Sequence, residues 1–430
     1  MLVQLSGAGH MTKNQKINFV VFAVLMWTFV ATICRAIRKP NDYAEAYWLL
    51  NYQFGFMKRG LIGSICSTIT DLLDLQMNSM IITILSVITL SSMFAALLFV
   101  YIRIFRYQQS KNSILVIGLL FVSSPFVVMN AHLLGYSDAL LYCFVVTAVS
   151  LVFSNHPLLA AIVSSIALLT NESYFLIGFP LVCLASVGVL TADSRRTHWR
   201  RHLVAISIPL AVFLAIPLLQ ALTTDTMTLR SQLIEYLDSF GFVSSRSKLV
   251  GKYQTTTSWE FFRHQNGYFV ARLLKPTLLA SFAPTVLAIL VFIHSTFRIR
   301  VLSPFSIMLM GVVFAPLAMH AVAFDSVRIS TYTIGGAFIT LWILAEVRTA
   351  QDTNDLFMLT ALPVLILNIF GRIPLMDGEL ERFSDTLPLL IYLPAILFFL
   401  TVVSSKLKPR LFKEFTQERI SNKAINCNKR

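Results

Sequence analysis

Four short clusters in the 430-residue chain hold residue types that can do chemistry, and each sits beside a long apolar stretch. The first reads Asn41-Asp42-Tyr43-Ala44-Glu45, followed by Gly55-Phe56-Met57-Lys58-Arg59-Gly60-Leu61-Ile62-Gly63. Glycine lets backbone approach a ligand closely, and adjacent Lys58 and Arg59 suit phosphate or pyrophosphate. An ordinary interfacial loop anchored by Lys and Arg fits the same residues. The second, Gly135-Tyr136-Ser137-Asp138, opens an apolar stretch. An acid there is stabilised by the backbone N–H groups and dipole of a helix N-terminus, so Asp138 reads as a cap or as a site carboxylate. The third, Asn171-Glu172-Ser173-Tyr174, lies between two apolar stretches with almost no loop. A carboxylate so near hydrocarbon is expected to have a raised pKa, useful for general acid or base work. The fourth is His320, Asp325 and Arg328, with Tyr332 one helical turn after the arginine. Asp325 and Arg328 could form a structural ion pair, or Arg328 could meet an anionic headgroup.

Asp42, Glu172 and Asp138 are therefore the candidate catalytic carboxylates. Glu45, Lys58, Arg59, His320, Asp325 and Arg328 are the candidate substrate-binding groups. Asp42, Glu172 and the Lys58-Arg59 pair are expected to converge on one cavity. No P-loop, GxSxG, HExxH, dinucleotide fingerprint or DxD pair occurs, which argues against soluble nucleotide chemistry. The carboxylates have no metal-ligand spacing, and no cofactor is indicated. The cysteines (Cys34, Cys66, Cys143, Cys183 and Cys427) show no CxxC or Cys/His spacing. Cys34 and Cys66 could meet as a disulfide or remain unpaired small apolar residues.

The elements that must position these clusters follow from composition. Hydrophobic residues make up 56% of the chain, charged residues 13%, and mean hydropathy is +0.71. A soluble domain of this size could not hide so much apolar side chain, whereas a bundle in lipid carries an apolar outer surface. Stretches suited to a hydrocarbon core of about 30 Å lie near 18–37, 78–102, 113–130, 138–154, 157–171, 173–191, 203–222, 277–296, 303–323, 330–346, 356–371 and 387–405. They predict an all-α fold: a polytopic transmembrane helix bundle of about 12 spans over residues 1–405, followed by a basic cytoplasmic tail at 406–430. The polar start Met1–Lys16 and the long run after it read as a retained first helix, not a cleaved signal.

The net charge of +14 does not indicate nucleic acid, because the basic residues are dispersed over loops. Placing both termini in the cytoplasm puts twenty of the 35 Lys and Arg on inner segments, mostly in short loops where the bias sets orientation. Fifteen of the 21 acidic residues then fall outside. This topology makes two outer loops long, at about 36–77 and 223–275. Both carry apolar stripes with aromatic members, which suit interfacial helices or packing on the bundle.

Carboxylates and cations gathered on one membrane face describe a site for a substrate that is half lipid. The large first outer loop with its early acid, Asp42, resembles the GT-C class of membrane glycosyltransferases that use polyprenyl-linked sugar donors. The layout is also similar to bacterial O-antigen and capsule polysaccharide polymerases. The resemblance covers topology across most of the chain. It lacks the sizeable soluble domain or acidic pair of many GT-C members, which leaves Glu172 and Asp138 as rivals to Asp42 for the role of base. It implies sugar transfer from a polyprenyl-phosphate donor outside the cytoplasm, in the bacterial inner membrane, beside envelope polysaccharide assembly proteins. The alternative is a transporter or flippase of lipid-linked oligosaccharide. Carriers, however, place charge near the midplane, often between repeated halves, and no repeat is seen here.

Overall fold

The computed structural model describes residues 13–107, 111–192, 199–223, 226–256, 258–323, 325–350, 355–375, 388 and 390–404. The proposed tail at 406–430 lies outside them. Every regular element among the described residues is helical. In an apolar surround a backbone must satisfy its own N–H and C=O groups, and a helix does so within one segment. Each apolar stretch read from the sequence accordingly forms a helix. Seven are long and apolar enough to cross a membrane: Ser79–Tyr107, Asn112–His132, Tyr174–Thr191, Trp199–Gln220, Pro276–Thr296, Pro304–Ala321 and Ser326–Val347. The remaining stretches form shorter apolar helices.

In chain order the first half comprises α1 (Lys13–Cys34), α2 (Asp42–Tyr47), α3 (Leu61–Leu72), α4 (Ser79–Tyr107), α5 (Lys111–Val122), α6 (Pro125–His132), α7 (Asp138–Phe153), α8 (Pro157–Thr170), α9 (Tyr174–Ile177) and α10 (Phe179–Ala192). The second half comprises α11 (Trp199–Thr223), α12 (Thr226–Ser239), α13 (Ser247–Thr255), α14 (Ser258–Gln265), α15 (Phe269–Leu273), α16 (Pro276–Thr296), α17 (Pro304–Phe314), α18 (Ser326–Val347), α19 (Asp355–Phe370) and α20 (Leu390–Ser404). Helix α18 is the axis of the bundle. Every residue from Ile329 to Ala345 is buried, and α4, α10, α16 and α17 surround it. Its buried hydroxyls can sit at such a centre because several bond back to the helix itself, Ser330 to the Ser326 carbonyl and Thr331 to the Arg328 carbonyl, each at 2.8 Å. Helix α4 is one-sided instead. It buries Ile82, Ser86, Leu90, Met93, Leu97, Val100 and Ile104 at spacings of three or four residues. Its opposite face exposes Met80, Ile84, Val87, Ile88, Leu98 and Phe99, as lipid contact requires.

The two long loops fold together over one end of the bundle. Helix α12 buries Leu229, Leu233 and Leu237, spaced four apart, against α13. These join Ala44, Tyr47, Trp48, Leu50 and Val250 in a second apolar core separate from the main one. The stripe on α12 therefore packs on protein. Helix α3 differs, leaving Ile65, Ile69 and Leu72 exposed. Two contacts fasten this cap. Trp48 donates its indole N–H to the Gly135 carbonyl at 2.8 Å, and the backbone of Leu50 passes so close to Gly63 that a Cβ there would lie 1.9 Å from its carbonyl oxygen. Only glycine permits that approach.

Candidate functional site

Between cap and bundle lies a cavity of about 680 Å³ whose lining takes residues from all four sequence clusters, the second contributing Tyr136. Its charged wall is built from two arginine–carboxylate assemblies. Lys58 and Arg59 form the turn that precedes α3, with Arg59 in the left-handed region at φ 66°. Such a conformation is uncommon for a non-glycine residue and persists where surrounding contacts over-determine it. Here Glu172 supplies them. The Arg59 Nε and Nη2 donate to its two carboxylate oxygens at 2.9 and 2.6 Å, while Nη1 donates to the Tyr47 hydroxyl at 2.6 Å. Glu172 is presented by a break between α8 and α9. The extended Asn171 ends α8, its side chain accepting from the Ser173 N–H at 3.0 Å and donating to the Ser137 hydroxyl at 2.8 Å.

The second assembly is centred on Arg328 in the first turn of α18. Its Nη2 donates to both Asp138 oxygens at 2.9 and 2.8 Å, Nη1 to Asp325 at 3.2 Å, and Nε to the Tyr332 hydroxyl at 2.7 Å. The Tyr332 hydroxyl in turn donates to Asp138, and the Tyr136 ring lies 5.1 Å from the guanidinium carbon. A cation at a helix N-terminus opposes the dipole, whereas Asp138 at the start of α7 is aligned with it. The pair thus corrects on one helix what the other favours.

Lys58 stands apart from both. It is only 6% exposed, and its ammonium lies 4.9 Å from the centroid of the Phe261 ring. Among the described residues it has no hydrogen-bond or ion-pair partner. Its pKa falls from 10.5 to about 8, chiefly through burial and in part through Arg59, with Glu172 and Glu260 acting against the shift. Aromatic rings complete the polar part of the lining. Tyr43 meets Tyr47, Tyr136 and Tyr253 at centroid distances of 5.3, 6.0 and 6.3 Å, and Tyr253 stacks on Phe261. The apolar part of the lining comprises Phe175 and Leu176 of α9, Phe213 of α11, and Ala318 and Met319 of the 3-10 segment Ala315–Ala321.

Several expectations change at this point. Glu172 does not have a raised pKa. Burial pushes it up, but Arg59 and Lys58 outweigh burial and bring it to about 2. Asp42 does not converge with Glu172 and the Lys58-Arg59 pair. It is not among the lining residues and accepts a hydrogen bond from Ser245. Glu45 is buried behind α2, accepting from Ser79, and burial raises its pKa. His320 is buried beside Ser330 at 3.3 Å, also away from the cavity. Asp138 lies behind Arg328 with 1% of its side chain exposed. Asp325 is the more open lining carboxylate, with 39% of its side chain exposed. Arg246, Leu249, Tyr253 and Phe213 line the cavity without having been marked in the sequence, where no motif distinguishes them. Cys34 and Cys66 are unpaired. Among the described residues no three His, Cys, Asp or Glu side chains gather as a metal site would need. No protein-family model, curated protein or solved structure matches the chain.

Proposed function

We propose that this protein is an integral membrane glycosyltransferase or polysaccharide polymerase. It transfers sugar from a polyprenyl-phosphate-linked donor on the non-cytoplasmic face of a bacterial inner membrane. The single observation that carries the reading is the mixed lining of the cavity. Lys58, Arg59, Arg246 and Arg328 supply positive charge, Phe175, Leu176, Phe213 and Met319 supply apolar surface, and Tyr43, Tyr47, Tyr136 and Tyr253 supply aromatic faces. A lipid-linked sugar carries the same three kinds of group: a hydrocarbon tail joined through an anionic phosphate to polar rings that stack on aromatic faces. In the accompanying topology of about 12 spans, both termini are cytoplasmic and the cap is external. Membrane lipid surrounds the bundle, and envelope polysaccharide assembly proteins are its partners.

In the reaction, an acceptor hydroxyl oxygen attacks the anomeric carbon and the bond from that carbon to the phosphate oxygen breaks. The electron pair leaves with the lipid phosphate. Asp325 takes the hydroxyl proton, because its carboxylate is open to the cavity and makes one 3.2 Å contact with Arg328. Glu172, clamped and strongly acidic, instead holds Arg59 in place; Asp138 does the same for Arg328. Gathering of the charges at one end favours chemistry at a surface over passage through a midplane site.

The test is reconstitution of the purified protein with a polyprenyl-pyrophosphate-linked saccharide. Formation of a new glycosidic bond is expected, with Asp325→Asn lowering the rate by about 10²- to 10⁴-fold while the protein still inserts and accumulates. An unchanged rate removes Asp325 from catalysis. Translocation of intact substrate without bond formation replaces the transferase by a flippase.

A further inference from the structure

Four cations line the cavity, yet their hydrogen-bonding capacity is distributed unevenly. All three nitrogens of Arg59 are engaged by Glu172 and Tyr47. All three of Arg328 are engaged by Asp138, Asp325 and Tyr332. Each guanidinium keeps N–H groups uncommitted, but its charge is already matched by a carboxylate that occupies one edge of the fork, so it offers an incoming phosphate less than an unmatched cation does. Lys58 is the opposite case. An ammonium carries three N–H donors, this one is almost fully buried, and it meets only the face of Phe261. Leaving a desolvated donor unmatched is unfavourable, and an anion in the cavity would relieve it. Arg246, exposed, lines the same cavity, and its side chain has no hydrogen-bond or ion-pair partner among the described residues.

We propose that Lys58, assisted by Arg246, is the seat of the phosphate or pyrophosphate of an anionic isoprenoid lipid, and that Arg59 and Arg328 shape the cavity without binding that group. This rests on the lipid-phosphate part of the proposed function and goes beyond it by separating ligand-binding cations from structural ones. The amine of Lys58, already lowered to about 8 by burial, would regain its proton affinity as the anion arrives.

Binding of a polyprenyl monophosphate, of inorganic pyrophosphate and of uncharged polyprenol to the purified full-length protein in nanodiscs decides the matter. Lys58→Met nearly conserves volume and removes a buried charge, so the fold should persist, as thermal unfolding would check. It should weaken polyprenyl phosphate by about 10- to 100-fold, the worth of hydrogen bonds to a charged group, and leave polyprenol unaffected. Arg246→Gln should weaken it several-fold, more at low salt. Lys58→Arg should restore most of the affinity. Wild-type affinity for polyprenyl phosphate in Lys58→Met overturns the proposal. Dependence on Lys58 for pyrophosphate alone overturns the lipid and leaves a free anion. Lys58-dependent lipid binding by a protein that forms no glycosidic bond keeps the seat and sinks the transferase. Normal sugar transfer by Lys58→Met does the reverse.

Discussion

Helix α18 carries a charge near each end, Arg328 at its start and Glu346 at its close, and both oppose the helix dipole. Each is matched by a residue from another helix. Asp138 meets Arg328 at the cap end. Arg103 of α4 meets Glu346 at the other end, through contacts of 2.7 and 2.9 Å, with the Trp342 indole N–H also donating to Glu346 at 2.9 Å. The chemistry is the same and the surroundings differ. Arg103 is 31% exposed, and Glu346 is shared only with Trp342, so this pair ties α4 to α18 and nothing more. Arg328 is 12% exposed and its partner 1%, and beside them stand a second pair, an aromatic wall and an unmatched lysine. Arginine–carboxylate geometry alone therefore does not mark a site. What marks it is paired charge around a cavity in which Lys58 and Arg246 have no carboxylate partner among the described residues.

The largest contrast should appear when each pair is broken. Asp138→Asn leaves Arg328 buried with only Asp325, and should destabilise the protein by about 3–5 kcal/mol, read as a fall in thermal midpoint in detergent. Glu172→Gln should act similarly on Arg59, by about 3 kcal/mol, with a pH signature. The Glu172 carboxyl is depressed from 4.5 to about 2, so its contribution is complete above pH 4.5 and is lost as pH falls toward 2. The gap between wild type and Glu172→Gln should be flat at neutral pH and close below 4.5; a gap that widens in acid contradicts the pair. At the opposite end, Arg103→Gln should cost about 1 kcal/mol, and an equal effect at both ends would erase the distinction drawn here. The smallest effect concerns Lys58. Affinity for polyprenyl phosphate should hold up to pH about 8 and fall tenfold per unit above it as the free amine loses its proton. Glu172, Arg59 and Glu260 are the charges that face it, and Glu172, held low, and Arg59, held high, keep their charge in that range. Lys58→Arg should abolish the decline.

Much of the fold was legible because apolar runs near 20 residues admit little besides a helix in lipid. Which face of α4 is exposed and that α18 is buried on all sides were not legible, because both faces of α4 are apolar and α18 carries hydroxyl residues along with its apolar ones. The site was legible only in part. Lys58, Arg59, Glu172, Asp325 and Arg328 could be placed at one end from the order of the helices. Asp42 could not be placed correctly. It lies on a helix of six residues whose Ala44, Ala46 and Tyr47 pack inward, and that packing turns Asp42 outward to Ser245. The acidity of Glu172 was equally hidden. Burial can be read from neighbours in the chain, but the guanidinium that reverses its effect comes from a residue 113 positions earlier.

The sequence by itself thus determined that the chain is helical, that its apolar runs are long enough to span lipid, and which chemical groups gather at one end. Hydrophobic length and charge spacing are local properties, and they survive whatever the helices do next. Tertiary structure alone decided which arginine meets which carboxylate, that Tyr253, Phe261 and Arg246 close the cavity over them, and that Lys58 remains unmatched. Those outcomes depend on distances across segments far apart in the chain, and electrostatics over a few ångströms changes sign with the partner.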